Sequence, residues 1–152
     1  VVWGQEEILD LVFSSDDVRL PPLSAVEAML GEQAVLGLSA GEHVMTLYRP
    51  WLDAHGILGS QALRACAPGR HVRAAGLLVV HQSPPTAKGF HFLTLEDQDG
   101  LMNVIVAPGV YGRYRQVIRG ARLLVAAGAV QQEEGVTNLL AERLAPLPGL
   151  RA

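Results

Sequence analysis

Phe90 and Phe92 open the stretch GFHFLTLEDQDGLMNVIV, and Asn103 stands in its second half. Two rings beside an amide can stack on nucleobases and bond their edges, each stacked base contributing roughly 1–3 kcal/mol. The same rings can equally be core, so their chemistry depends on which way they point. Cations able to meet phosphates are spread around them: Arg73, Lys88 in the loop HQSPPTAKGF, Arg113 and Arg122. In YGRYRQVIRG, Tyr111 and Tyr114 are interleaved with Arg113, Arg115 and Arg119, a mixture that suits a surface tracking a charged backbone. It also suits a helix that caps a barrel and leaves its arginines in solvent.

Catalytic constellations are missing from the sequence. His43, His55, His71, His81 and His91 have no metal-ligand spacing, and Cys66 alone makes neither a disulfide framework nor a cysteine zinc site. Asp97 and Asp99 occupy a tight turn, where aspartate bonds the backbone, and read as turn residues and not as a metal site. There is no glycine-rich phosphate loop ending in Lys-Ser or Lys-Thr, and no nucleophile elbow. The expectation is a chain that is not an enzyme by itself, with no cofactor and no metal.

Composition sets the frame. The 152 residues are 49% hydrophobic and 18% charged, the balance of a folded chain. No apolar run approaches the roughly 18 residues of a membrane helix. VVWGQEEILDLVF lacks the basic start of a signal peptide, so a cytoplasmic protein without a membrane partner is expected. Net charge is −3, but unevenly spread. Residues 1–67 carry three basic residues against nine acids, and residues 68–145 carry eight against six. That split predicts two parts with different partners.

The elements that must position these side chains follow from hydrophobic period. Ser24 after Pro21-Pro22, with Glu27 three residues on, predicts a capped helix with Val26, Met29, Leu30 and Val35 on one face. EHVMTLYRPWLDAHG predicts a second helix burying Val44, Leu47, Tyr48 and Trp51, kinked or split at Pro50. GSQALRACAPG predicts a last turn or two capped by Ser60. Beyond it the period changes from about 3.6 to 2. Strands are expected at 71–82, with a bulge or bend at Gly76, at 90–97, at 101–107, at 121–132 and at 136–147. A helix is expected at 108–120, burying Val110, Tyr114, Val117 and Ile118. In the hairpin, Leu93, Leu95, Met102, Val104 and Val106 read as inward, which would turn Phe90 and Phe92 outward unless the first helices cover them.

Five strands with one helix between the third and fourth is the order of an OB fold, a partly open barrel that binds oligonucleotides or oligosaccharides on strands 2 and 3. The chain therefore divides into a helical segment or linker at 1–67, the barrel at 68–146 and a tail at 147–152. It is mainly β, with an α-helical N-terminal segment. Another small β-barrel is the competing architecture.

The motifs Ala75-Gly76, TAKG at 86–89, FLTLED at 92–97, NVIV at 103–106 and the tyrosine- and arginine-rich helix at 111–115 carry a resemblance. They resemble the C-terminal OB region of bacterial C-family DNA polymerases, the alpha subunits of DNA polymerase III, in their error-prone, translesion branch. The upstream LPPLSAVEAM…GLSAGEHVMTLYRPWL is similar to the helical segment before that region. FLTLED is also shared with the anticodon-binding OB domains of aminoacyl-tRNA synthetases, which keeps tRNA binding as a further alternative. The resemblance implies a non-catalytic part that holds single-stranded template DNA, or that docks other mutagenesis or replication proteins. The polymerase carboxylates would lie in a palm domain outside this chain, so the chain reads as a tail fragment or a truncated relative. On this reading Phe90, Phe92 and Asn103 contact bases, and Arg73, Lys88, Arg113 and Arg122 contact phosphates. His81, Ser83, Ala107 and Ala129 depart from the family's more basic or aromatic choices and favour docking over tight DNA binding. QEEILDLVF at 5–13 is loosely similar to sliding-clamp peptides, but an amphipathic helix explains Ile8, Leu9 and Val12 as well, so clamp binding is not expected.

Overall fold

The computed structural model describes residues 19–36 and 43–149. The clamp-like segment 5–13 lies outside the described residues. In chain order the elements are α1 (Leu23–Leu36), α2 (Met45–Ala54), a short β1 (Ile57–Leu58), α3 (Ser60–Arg64), β2 (His71–Gln82), β3 (His91–Asp97), β4 (Gly100–Val106), α4 (Pro108–Gly120), β5 (Leu123–Glu133) and β6 (Val136–Pro146). Strands β2, β3 and β4 form an antiparallel meander. Strand β4 then runs parallel to β6, β6 pairs antiparallel with β5, and β5 returns to β2. Five strands thus close into a mixed barrel with α4 between β4 and β5, which is the OB fold expected from the sequence. Strand β1, which no hydrophobic run announces, adds a parallel partner to β2 at Arg73 and Ala74.

Alternation fills the barrel. Leu93, Leu95, Met102, Val104, Val106, Leu124, Leu139 and Leu144 point inward, and Tyr114, Val117 and Ile118 of α4 pack with them. A second cluster lies outside the barrel wall, where Val26, Met45, Tyr48, Trp51 and Leu52 cover Ala75, Leu77, Leu123, Val125, Ala127 and Ala145. Small alanines there let the helices approach closely, and burying each large side chain stabilises by roughly 1.5–3 kcal/mol. Burial also pushes the Tyr48 hydroxyl up to about 12, so it stays protonated.

Local chemistry departs from expectation at four places. Helix α1 starts at Leu23, with Ala25 and Val26 bonding back to Pro22, so Ser24 lies inside the first turn instead of capping it. Helix α2 runs unbroken through Pro50, which removes one backbone donor from its ladder without splitting it. The bulge in β2 falls between Leu78 and Val80 and not at Gly76. Gly76 instead packs against strand β3: a Cβ there would sit 3.0 Å from the Glu96 carbonyl oxygen and 3.1 Å from Met102 Cε. Finally, Gly59 precedes α3, and Ser60 is its first residue because its polar atoms face elsewhere.

They face Asp97. This carboxylate is 3% exposed and accepts from the Ser60 backbone N–H at 2.6 Å, the Ser60 hydroxyl at 2.6 Å, the Asp99 N–H at 2.9 Å and the Gly100 N–H at 3.1 Å. It is therefore a buried structural acceptor, as turn chemistry suggests, with a long-range duty the sequence does not reveal. Replacing it by alanine strands two buried donors on Ser60, at a cost of about 2–4 kcal/mol. Urea denaturation should show that loss in Asp97→Ala, against a change within about 0.5 kcal/mol for the exposed Asp99→Ala. Equal losses in both would reduce Asp97 to an ordinary turn residue.

Candidate nucleic-acid interface

Register defines the open face of the barrel. Gln82, Phe92, Ile105 and Leu140 are successive partners across β2, β3, β4 and β6. The next row is Val80, Thr94, Asn103 and Asn138. Their neighbours along β3, β4 and β6, Leu93, Val104 and Leu139, are buried, so both rows point outward there. Phe92 is 39% exposed, and Val80, Leu101, Val136 and Leu140 are exposed with it. The helices of the second cluster cover a different stretch of wall, on β2, β5 and the end of β6. Phe92 is thus neither barrel core nor buried under α1 and α2. One end of the face is closed, where His43 Nε2 lies 2.8 Å from Glu96 Oε1.

Phe90 lies just outside the paired rows. Strand β3 begins at His91, and Phe90 lies half-buried at the end of the β2–β3 loop. Its N–H donates to the Ala87 carbonyl at 3.1 Å, and its own carbonyl accepts from Ser83 Oγ at 3.0 Å. Within the loop, Pro85–Ala87 forms a single tight turn, and Lys88 is exposed in the left-handed region at φ 54°. A lysine held there costs on the order of 1–2 kcal/mol.

The loop base is fastened by rings. His81 Nε2 and His91 Nδ1 are 2.8 Å apart, and the His91 ring stacks on Tyr111 with centroids 3.4 Å apart and planes 6° from parallel. Burial, and then the charge of Arg119, push the His81 imidazole below its ordinary 6.5; burial, His81 and Arg119 do the same to His91. A hydrogen bond between two imidazoles needs at least one lone pair, so full protonation breaks it.

The remaining cations are dispersed. Arg113 is exposed on α4, with its guanidinium carbon 5.5 Å from the Tyr114 ring centre. Arg122 is exposed beside the β2–β5 seam, its carbonyl accepting from the Leu78 N–H at 2.8 Å. Arg73 is half-buried on the helix-covered side, where its guanidinium donates to the His55 carbonyl. Of the expected site residues, the fold gathers Phe92 and Asn103 on one face and puts Lys88 and Phe90 on its flanking loop. Arg73 stands apart. Asn138, Leu140, Val80 and Gln82 join the face unannounced: the parallel pairing of β4 with β6 leaves no local sequence signal for the first two, and the register shift between Leu78 and Val80 sets the other two. Among the described residues, no group of three or more His, Cys, Asp and Glu side chains is placed to hold a metal, and no helix is long and apolar enough to cross a membrane.

A closed barrel of this strand order, with a helix between β4 and β5, makes the chain an OB-fold domain. Asparaginyl-tRNA synthetase from Pyrococcus horikoshii shares that fold, with a TM-score of 0.52 at 20% identity over 62% of this chain and 24% of that one. No protein-family model matches the chain. Its sequence is 42% identical over 130 residues to the error-prone DNA polymerase of Corynebacterium efficiens, covering 85% of this chain. It is 40% identical over 131 residues to that of Anaeromyxobacter sp. strain K, and 36% identical over 150 residues to that of Pseudomonas syringae pv. tomato. The chain is homologous to a C-terminal portion of these C-family, error-prone DNA polymerases. It spans about 12–14% of the length of the three relatives.

The ring cluster generates a pH prediction. Because both imidazoles titrate lower in the fold than in the unfolded chain, the unfolded chain binds more protons below pH 6.5. Stability is therefore full above pH 6.5 and declines as pH falls from there through the lowered folded values. Melting temperatures of the parent chain and His91→Gln, compared at pH 7.5 and 5.5, should show a smaller acid-induced drop in the variant. A drop of the same size in both would remove the pair from the acid response.

Proposed function

We infer that this chain is a single-stranded nucleic-acid-binding domain, one that holds template DNA for an error-prone polymerase in replication and damage-induced translesion synthesis. The observation that carries this reading is the outward Phe92, exposed among the described residues and flanked by Thr94, Asn103 and Asn138. Phe92 offers a stacking surface, and the neighbouring amides offer donors and acceptors to base edges. The two central rows carry no formal charge, and Lys88 on the adjoining loop is the lysine or arginine nearest to Phe92 in sequence. Bases would face the sheet while the backbone runs along its rim. Homology to the polymerases supports DNA as the strand, and the chemistry of the polymerase itself would belong to other domains.

A second reading is favoured by the exposed Val80, Leu101, Val136 and Leu140, which suit docking of a replication or mutagenesis protein. Fluorescence anisotropy of labelled oligo-dT, titrated with the purified chain at several salt concentrations, separates the two. Strand binding should weaken linearly in log[salt], with a slope of about −0.7 for each phosphate contacted, and few contacts should keep that slope shallow. Phe92→Ala should weaken binding about tenfold, as expected for one lost stack, with little change in the urea midpoint. No binding at low salt would sink the strand reading for this chain alone. Preference for oligo-U over oligo-dT would move the assignment to RNA.

A further inference from the structure

On the helix-covered side, Arg73 of β2, Ala127 of β5 and Arg143 of β6 are successive cross-strand partners. The β5–β6 ladder slips between Ala127 and Gly128: Gly128 pairs with Ala141, but Ala127 pairs with Arg143, leaving Glu142 as the extra residue. An unbroken ladder would have put Glu142 opposite Ala127, in the same row as Arg73, and created an attractive pair across the sheet. The bulge puts a second arginine there. Between the two stands only the methyl of Ala127, so they border a cleft of about 340 Å³ over a short floor. Gly56 and Leu58 form one wall, and Arg70, His71 and Glu142 complete the lining.

Among the described residues that line this cleft, three arginines and His71 face one carboxylate, Glu142. That carboxylate is itself engaged by His71 at 3.4 Å. Arg73 is aimed by its bond to the His55 carbonyl. Burial, and then the charge of Arg143, push Arg73 below the usual guanidinium range. Guanidinium forks match the oxygens of a phosphate, and an anion in the cleft would be attracted by both.

We propose that the Arg73–Arg143 cleft is an anion site that takes a phosphate group, distinct from the open face around Phe92. Inorganic phosphate and a phosphodiester of a nucleic-acid strand present the same oxygens, so the test uses both. The purified chain is titrated with sodium phosphate and, separately, with the dinucleotide TpT, while NMR follows the arginine Nε–H signals and the Gly56 and Gly128 amides. Sodium chloride at equal ionic strength is the control. Saturable shifts at these positions are expected, with affinity about tenfold weaker in Arg143→Ala, as for loss of a charged hydrogen-bonding partner. Response to phosphate assigns the free ion as a ligand, and response to TpT assigns the strand. Arg143→Gln, which keeps more of the side-chain stem, replaces the alanine variant if that one does not fold. Shifts reproduced by chloride, no saturable shift with either probe, or unchanged affinity in the arginine variant would overturn the site.

Discussion

The carboxylate of Asp97 holds two things in place that lie far apart in the chain. Through Asp99 and Gly100 it closes the β3–β4 turn, and through Ser60 it fastens the segment that carries the helices to the barrel. A buried carboxylate is tolerable only where donors replace its lost water, and here four do. Turn geometry sets hairpin register, and register decides whether Phe92 or Leu93 faces out, since a slip of one residue exchanges the two faces. The same atoms that decide the sidedness of the sheet therefore also anchor the covering segment that leaves that side open.

The barrel's outer wall has a covered side and an open side. On the covered side, Ala75, Ala127 and Ala145 leave room for Tyr48, Trp51 and Leu52 to lie against the strands. On the open side, Phe92, Ile105 and Leu140 form a row with no helix of the described residues above it. His43, bonded to Glu96, marks the border between the two regions. Cations gather at loop, helix and cleft, away from the two central rows.

The barrel was legible in the sequence because its signals are local. A change of period at residue 71, paired alternating runs around an acidic turn, and an amphipathic stretch after Pro108 each follow from nearest neighbours. What escaped depends on partners far away. Strand β1 is two residues long and exists only because β2 lies beside it. Ser60 looks like a cap until Asp97 claims its hydroxyl. Gly76 reads as a bend, but the barrel uses it for close packing and puts the irregularity two or three residues later. Phe92 and Asn103 were recognisable as face residues from alternation. Asn138 and Leu140 were not, because only the parallel β4–β6 seam brings them alongside. Arg73 was read as a surface cation, and its row on the far side of the barrel becomes visible only with β1 and the β5–β6 bulge in place.

The two seams that complete the barrel have a consequence for how the chain reaches its folded state. The β3–β4 hairpin joins residues close in sequence, whereas the seams pair His71 with Ala129 and Asn103 with Asn138, across long stretches of chain. Loop-closure entropy must be overcome before such pairings are rewarded, which makes them late and comparatively slow steps. Until they form, the edges of β2 and β4 present unpaired backbone beside valines and isoleucine, the arrangement that recruits strands from other molecules. Closure is thus a kinetic safeguard as well as a shape: once β4 meets β6 and β2 meets β5, the hairpin's hydrogen-bonding edges are taken up within the molecule.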